Sequence, residues 1–387
     1  MIRLAGLDSC FCSFIYLFCL SSISFAERCG KMYLKYILFF VMLIAGLLFN
    51  LQMPDKVIDK VQMITVAGYE ATDQDMIRET VVSPKFQQEG QVGNFIYTDT
   101  AETVYENRVN LNAKATERLL NGKLRVTFYN RELAEQGIEH FIEYMMRDPS
   151  IGGHLNLAVV EGSTRELIDS VTTDKGVGVF LSDLFEHNIQ HGNLPQINLK
   201  VFESALHAET SDPFLPMLSV TDNRASLTAI ALFDDDQYVD KIPIHIADVF
   251  KMLYENVSDG HYQYKSDAYN AALENIESNK DMVFETTGGS AEMTVNLELR
   301  GVIREFTGSG VINQLSAIEK DVEQDIKQKA DNLISRFQEL NIDPLGIEEI
   351  ARSSNRNYDQ DQFKSAYPDM PINVNVDLRI TGSGTER

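Results

Sequence analysis

The chain is 387 residues long, enough for roughly two or three domains at ~100–200 residues each, with 57 Asp and Glu set against 34 Lys and Arg for a formal charge of −23. From Asp55 onward the balance is 30 bases to 55 acids. Such a surface repels phosphate backbones and anionic headgroups, because nucleic-acid affinity depends on Lys and Arg displacing counterions, so no nucleic-acid partner is expected.

The amino terminus carries two apolar stretches in series, Cys10–Ala26 and Tyr36–Leu51. Each is short for a bilayer span of about 20 residues. If both crossed, they would form a hairpin and return the body to the cytoplasm. The preferred reading starts at Met32, whose MYLK supplies a charged leader before the apolar run, as in an export signal. Lys35 then orients the segment with its carboxyl end outward, placing the body outside the cytoplasm. A buried core helix is the other option, but FFVMLIAGLLF has no amphipathic pattern. Residues 1–54 are therefore assigned to a signal or membrane anchor. All four cysteines, Cys10, Cys12, Cys19 and Cys29, lie in this part, so the body has neither a disulfide nor a thiolate metal site. With no Trp, its core is expected to rest on 21 Phe, 15 Tyr and aliphatic residues.

Met63–Glu70 (MITVAGYE) reads as a buried strand and Met76–Val82 as its partner, followed by a polar loop to Gly93. A helix is expected from about Thr100 to Leu120, stopped by Asn121-Gly122. Leu124–Asn130 is a strand, Glu132–Arg147 a helix ending near Asp148-Pro149, and HLNLAVVEG a further strand, an order that suggests a crossover unit in a mixed sheet. A Pro-marked break at Asp212–Pro216 opens a second region. There Ala225–Phe233 and Tyr238–Ile242 flank Asp234-Asp235-Asp236 as a hairpin with an acidic turn, a short helix spans Ile246–Tyr254, and a polar tract runs over Ser258–Lys280. In the third region Ala291–Phe306 alternates apolar and polar residues. Leu315, Ile318, Val322, Ile326, Leu333, Phe337 and Leu340 form one helical stripe across Ile312–Leu340, and Ile372–Ile380 alternates again. The fold class is α+β, with residues 55–212 an N-terminal α/β domain, 213–288 a small middle domain with the hairpin, and 289–387 a C-terminal α+β domain with the long helix.

The chemistry-bearing motifs are sparse. His187 and His191 sit four apart, on one helical face, but no third ligand is marked and H-E-x-x-H is absent; a solvated helix accounts for them. Asp234–Asp236 supplies hard oxygens without the spacing, central Gly or terminal Glu of an EF loop, and reads as a solvated turn. Thr286–Gly289 and Thr307–Gly310 supply neither phosphate-binding glycine signature. There is no G-x-S-x-G elbow and no body cysteine to act as a nucleophile. No catalytic, cofactor-binding or metal residue is assigned, and no cofactor is expected.

Several separated blocks resemble the Ger(x)C family, the C subunits of bacterial spore germinant receptors. MITVAGYE resembles the family's first strand, and NGKLRVTFYNRELAEQGIEHFIEYMMRDPSI its strand, helix and Asp-Pro stretch. LNLAVVEGSTRELI continues the match. SLTAIALFDDDQYVDKI resembles the family's small hairpin, and the long helix with ELNIDPLGI and YPDMPINVNVDLRITG its carboxyl end. The resemblance implies three α/β domains with mixed sheets in an elongated arrangement. It also implies a non-catalytic, lipoprotein-like subunit on the outer face of the inner spore membrane, acting with integral A and B subunits in nutrient-triggered germination. Two departures stand out. Met53 occupies the position of the family's lipidated cysteine, with Pro54 in place of the aromatic residue, so no lipidation site is assigned and attachment rests on Tyr36–Leu51 staying uncleaved, rests on partners, or does not occur. The Trp residues near the family's carboxyl end are also missing. The competing function is an extracytoplasmic small-ligand-binding or hydrolytic protein on a similar fold.

Overall fold

The computed structural model describes residues 39–44, 61–74, 76–86, 92–287, 290–308, 310–356 and 358–383. Cys10–Ala26, Met32, Met53, Gly288-Gly289 and Ser309 lie outside the described residues, as does most of Tyr36–Leu51. Within that segment residues 39–44 are helical, with every side chain exposed. No helix among the described residues is long and apolar enough to cross a membrane. Two compact units, Met1–Lys60 and Val61–Arg387, divide the chain, and the architecture below is that of the second.

Its first layer is an eight-stranded mixed sheet. β2 (Val66–Ala71) is central because nearly every residue on both of its faces is buried, the signature of a strand covered on two sides. It runs parallel to β6 (Val126–Asn130), which runs parallel to β7 (Asn156–Val160). β8 (Phe214–Thr221) adds in parallel to β7, and the hairpin of β9 (Arg224–Asp234) and β10 (Gln237–Pro243) closes that edge. At the other edge β2 pairs antiparallel with β3 (Ile77–Phe86), and β3 with β4 (Val92–Ala101). A separate two-stranded ladder joins β1 (Val61–Met63) to β5 (Arg118–Leu120).

Helices connect the parallel strands, as such strands require. They are α1 (Val104–Lys114), α2 (Arg131–Gln136), α3 (Glu139–Arg147), α4 (Thr164–Ser170), α5 (Val177–His191) and α6 (Leu199–Leu206). α4 lies close on β2: a Cβ at Gly68 would sit 2.6 Å from Thr164 Oγ1. Two expected helices are shorter than the sequence indicated. The Thr100–Leu120 helix is confined to α1, because its start is the end of β4 and its last turn is replaced by β5, with Asn112 Oδ1 accepting from Leu119 N at 2.9 Å. The Glu132–Arg147 helix is split into α2 and α3 at Gly137, whose φ of 107° no right-handed helix admits.

The second layer is a four-stranded sheet of β11 (Val257–Lys265), β12 (Asn270–Thr287), β13 (Ser290–Phe306) and β14 (Ile372–Ser383). The polar tract Ser258–Lys280 is thus β11 and most of β12, not a connector. β13 and β14 are parallel, and the crossover between them carries α8 (Val311–Leu340), α9 (Ile347–Ser354) and α10 (Gln360–Ala366). The predicted stripe on α8 is the buried one: Ile318, Val322, Ile326, Leu333 and Phe337 are all at most 6 % exposed. Each such side chain contributes roughly 1.5–3 kcal/mol by leaving water. α7 (Ala247–Tyr254), which precedes β11, packs Phe250 against Phe337 edge-on with centroids 6.0 Å apart. The chain is therefore α+β with mixed sheets.

Candidate acidic site and related proteins

The predicted acidic turn does not stay together as a unit. Asp236 turns toward the N-terminus of α3: its carboxylate accepts from Glu139 N at 3.0 Å and its carbonyl from Ile138 N at 3.1 Å. It fills the space left by the missing side chain of Gly137, whose Cβ would collide with it. Asp234 ends β9, and Asp235 takes the left-handed turn position with φ 51°. These two face Asp212, which lies just before β8. One carboxylate oxygen from each of Asp212, Asp234 and Asp235 lies within 4.8 Å of the others.

Asp212 is held by its neighbours rather than by a base. Its carboxylate accepts from Asp343 N at 2.6 Å and Asp235 N at 3.3 Å, and its own N–H donates to Asp343 O at 3.0 Å. Asp343 follows the helix terminator Asn341, whose φ of 56° ends α8 in the left-handed conformation. Its Oδ2 accepts from Glu348 N at 2.7 Å in the first turn of α9, and its Oδ1 is buried with no hydrogen-bond partner. Around these groups is a cavity of about 270 Å³ whose walls include Asp212, Asp234, Asp235, Asp343, Lys364 and Tyr367. A second cavity of about 580 Å³ shares Ser211 and Asp212 and is lined by apolar groups such as Val201, Phe214, Leu345 and Ile350.

The electrostatics follow from burial and like charge. Burial pushes the Asp343 carboxyl up to about 7, against the N–H groups of Glu348 and Ile347 and with the Asp212 charge adding to the rise. Asp212 and Asp234 are raised as well, in both cases first by burial and then by neighbouring aspartates, with backbone N–H groups opposing the rise at Asp212. Burial therefore disfavours full ionisation of the cluster.

The other sequence candidates are dispersed. His187 and His191 share α5 with ring centroids 5.8 Å apart, and His191 Nδ1 lies 2.9 Å from Asp259 Oδ2 on an exposed surface. Thr307 is tied to the sheet, its Oγ1 accepting from Asn270 N at 2.8 Å, and Gly310 caps α8 with φ 70°. Sequence reasoning marked Asp234 and Asp235 but missed Asp212 and Asp343 as site residues. Both stood beside prolines in stretches read for other reasons, and only tertiary structure unites them.

Residues 54–220 match the spore germination protein N-terminal domain, and residues 228–384 match the spore germination B3/GerAC-like C-terminal domain. The spore germination protein GerQC of Bacillus cereus is 28% identical over 337 residues, covering 85% of this chain and 94% of that protein. The putative spore germination protein YfkR of Bacillus subtilis (strain 168) is 19% identical over 296 residues, covering 72% of this chain and 76% of the relative. The crystal structure of the GerBC protein superposes with a TM-score of 0.55 at 10% identity, over 81% of this chain and 96% of that one, which shows a shared fold. On these matches, the chain belongs to the Ger(x)C family of spore germination proteins.

Proposed function

We propose that this chain is a non-enzymatic, membrane-associated subunit of a spore germinant receptor, acting with integral A and B subunits in nutrient-triggered germination. The observation that carries the reading is the pair of family domains, which follow one another over 54–220 and 228–384 and occupy nearly the whole body. The family is one of germination proteins rather than enzymes, and the sequence has no nucleophile elbow or phosphate loop to set against that. In this reading the body lies on the outer face of the inner spore membrane. A methionine cannot form the thioether of a lipidated cysteine, so attachment with Met53 at that position rests on Tyr36–Leu51 and on the receptor partners.

The test is affinity capture of the tagged full-length chain from solubilised spore membranes. Co-purification of polytopic germination proteins is expected, whereas recovery only as a free soluble monomer from dormant spores would refute the assignment. Mass spectrometry of the mature amino terminus then separates a retained anchor from a cleaved or acylated one.

A further inference from the structure

We infer that Asp212, Asp234 and Asp235 form a binding site for one hard divalent cation, with calcium preferred over magnesium. Three observations converge on it. The first is geometric. Three carboxylate oxygens within 4.8 Å of one another match the spread of oxygens around a calcium ion bonded at about 2.3–2.6 Å. The open side of the cavity leaves room for the waters that complete a coordination of roughly 6–8. Magnesium demands a tighter, near-octahedral set and keeps more of its own water, so a loose trio of carboxylates disfavours it.

The second observation concerns charge. Lys and Arg elsewhere on this body are drawn into pairs such as Lys241–Glu161 and Arg336–Asp240. Among the described residues, no ion pair within 4.0 Å involves Asp212, Asp234 or Asp235. The base on the cavity wall is Lys364, an exposed side chain. The carboxylates are thus assembled without a side-chain counter-ion in contact, and Asp212 is fixed in place by two backbone N–H groups.

The third observation is independent of the cluster. Asp343, only 7 % exposed, lines the same cavity and keeps its Oδ1 without a hydrogen-bond partner. An orphaned buried carboxyl oxygen is costly. A water bound to the cation would donate to it, which gives Asp343 an outer-shell role. Asp236 has no part in the site, because its carboxylate is taken up by Glu139 N.

Terbium(III) luminescence on the full-length chain in mild detergent tests the assignment. The chain has no Trp, so sensitisation comes from tyrosine, and Tyr367 stands on the cavity wall. One saturable terbium site is expected, displaced by calcium at concentrations at least tenfold below those needed for magnesium. The double substitution Asp234→Asn/Asp235→Asn should weaken terbium and calcium at least tenfold. Both residues are at an exposed turn, and Asn tolerates the positive φ at position 235. The single Asp235→Asn should shift affinity in the same direction by less. Asp281→Asn, an exposed carboxylate on β12, should leave affinity unchanged. The assignment is overturned by wild-type affinity in the double variant, by an equal loss in Asp281→Asn, by equal displacement by the two metals, or by the absence of a saturable site.

Discussion

The most exposed weakness in the larger sheet is a buried ion pair, and Arg108→Met tests it directly. Glu79 on β3 is 0 % exposed, and its Oε1 accepts from Arg108 Nη2 of α1 at 2.7 Å, while its Oε2 has no hydrogen-bond partner. Arg108 also donates to Asn121 Oδ1 at 2.9 Å, and Asn121 passes the chain on to Asp148 at 3.0 Å. Methionine keeps the aliphatic bulk of the arginine but strands a carboxylate where water cannot reach it. Breaking a buried pair on one side costs about 3–5 kcal/mol. With a urea slope of about 3 kcal/mol/M for a body of this size, the midpoint should fall by roughly 1–1.7 M. Glu79→Gln/Arg108→Met removes the stranded charge and should recover most of that loss. The pH dependence has a definite sign. Burial already raises Glu79 above the ordinary carboxylate range, against the pull of Arg108, and removing Arg108 raises it further. A carboxyl raised in the folded state holds its proton there longer than in the unfolded chain, so stability falls as pH rises from about 4 through the folded pKa. The deficit of Arg108→Met is therefore smallest in mild acid and complete above the folded pKa of Glu79. Urea titrations at several pH values check this, and a midpoint shift worth less than about 1 kcal/mol at neutral pH would show that the pair is solvated.

Other perturbations probe separate parts of the structure. Phe337→Ala should cost about 3–5 kcal/mol by opening a cavity where α7 and α8 meet, measured by calorimetry. Gly137→Ala should cost about 1–3 kcal/mol, since the residue has φ 107° and its added Cβ collides with the Asp236 carboxylate; a neutral result in a thermal melt would mean that the hairpin turn yields freely. Asp248 is raised by burial from 3.8 to about 6, against the N–H of Val249 and the charge of Lys329. A raised carboxyl makes stability fall as pH climbs from about 4 to 6, by about 3 kcal/mol at 1.36 kcal/mol per unit. Asp248→Asn should flatten that segment of the stability profile, and an unchanged profile would assign the slope to other groups.

The elements most legible from sequence are those whose side-chain period matches the face they bury. β13, β14 and α8 alternate or repeat cleanly because each has one buried face, and the β9–β10 hairpin is bracketed by a turn of aspartates. β11 and β12 were obscured by their own irregularity. Register shifts at Val257/Gly260, Gly260/Tyr262, Ala272/Leu273 and Glu274/Glu277 interrupt the alternation through the first part of the tract, and the regular stretch that follows places the polar Ser278 at a buried position. β8 was hidden by Pro216, which usually argues against an interior strand. The pairing explains the exception: Pro216 opposes Ile230 of β9, while contact with β7 begins only at Met217. At Pro216 the ladder is effectively two-stranded, and the missing N–H has no partner on β7 to lose.

The acidic site was half legible for a different reason. A body with 30 bases and 55 acids cannot pair every carboxylate, so acidic runs are expected throughout and carry little information individually. What distinguishes one is the company the fold gives it, and that company is remote in sequence. Asp212 comes from the entry to β8, Asp234 and Asp235 from a hairpin turn, and Asp343 from beyond the end of a thirty-residue helix. Two of the flanking acids in the same turn region behave differently: Asp236 is spent on a helix terminus and Asp240 on Arg336. Unpaired charge that is drawn partly out of water is costly, and bound protons or a bound cation relieve it. Burial raises Asp212, Asp234 and Asp343, which favours the first route when no ion is bound. A divalent cation supplies the second and would release those protons on binding. Protons and calcium therefore compete for the same carboxylates, and affinity measured at pH 5.5 should be lower than at pH 8. A pH-independent affinity would mean that the carboxylates were already fully ionised at pH 5.5.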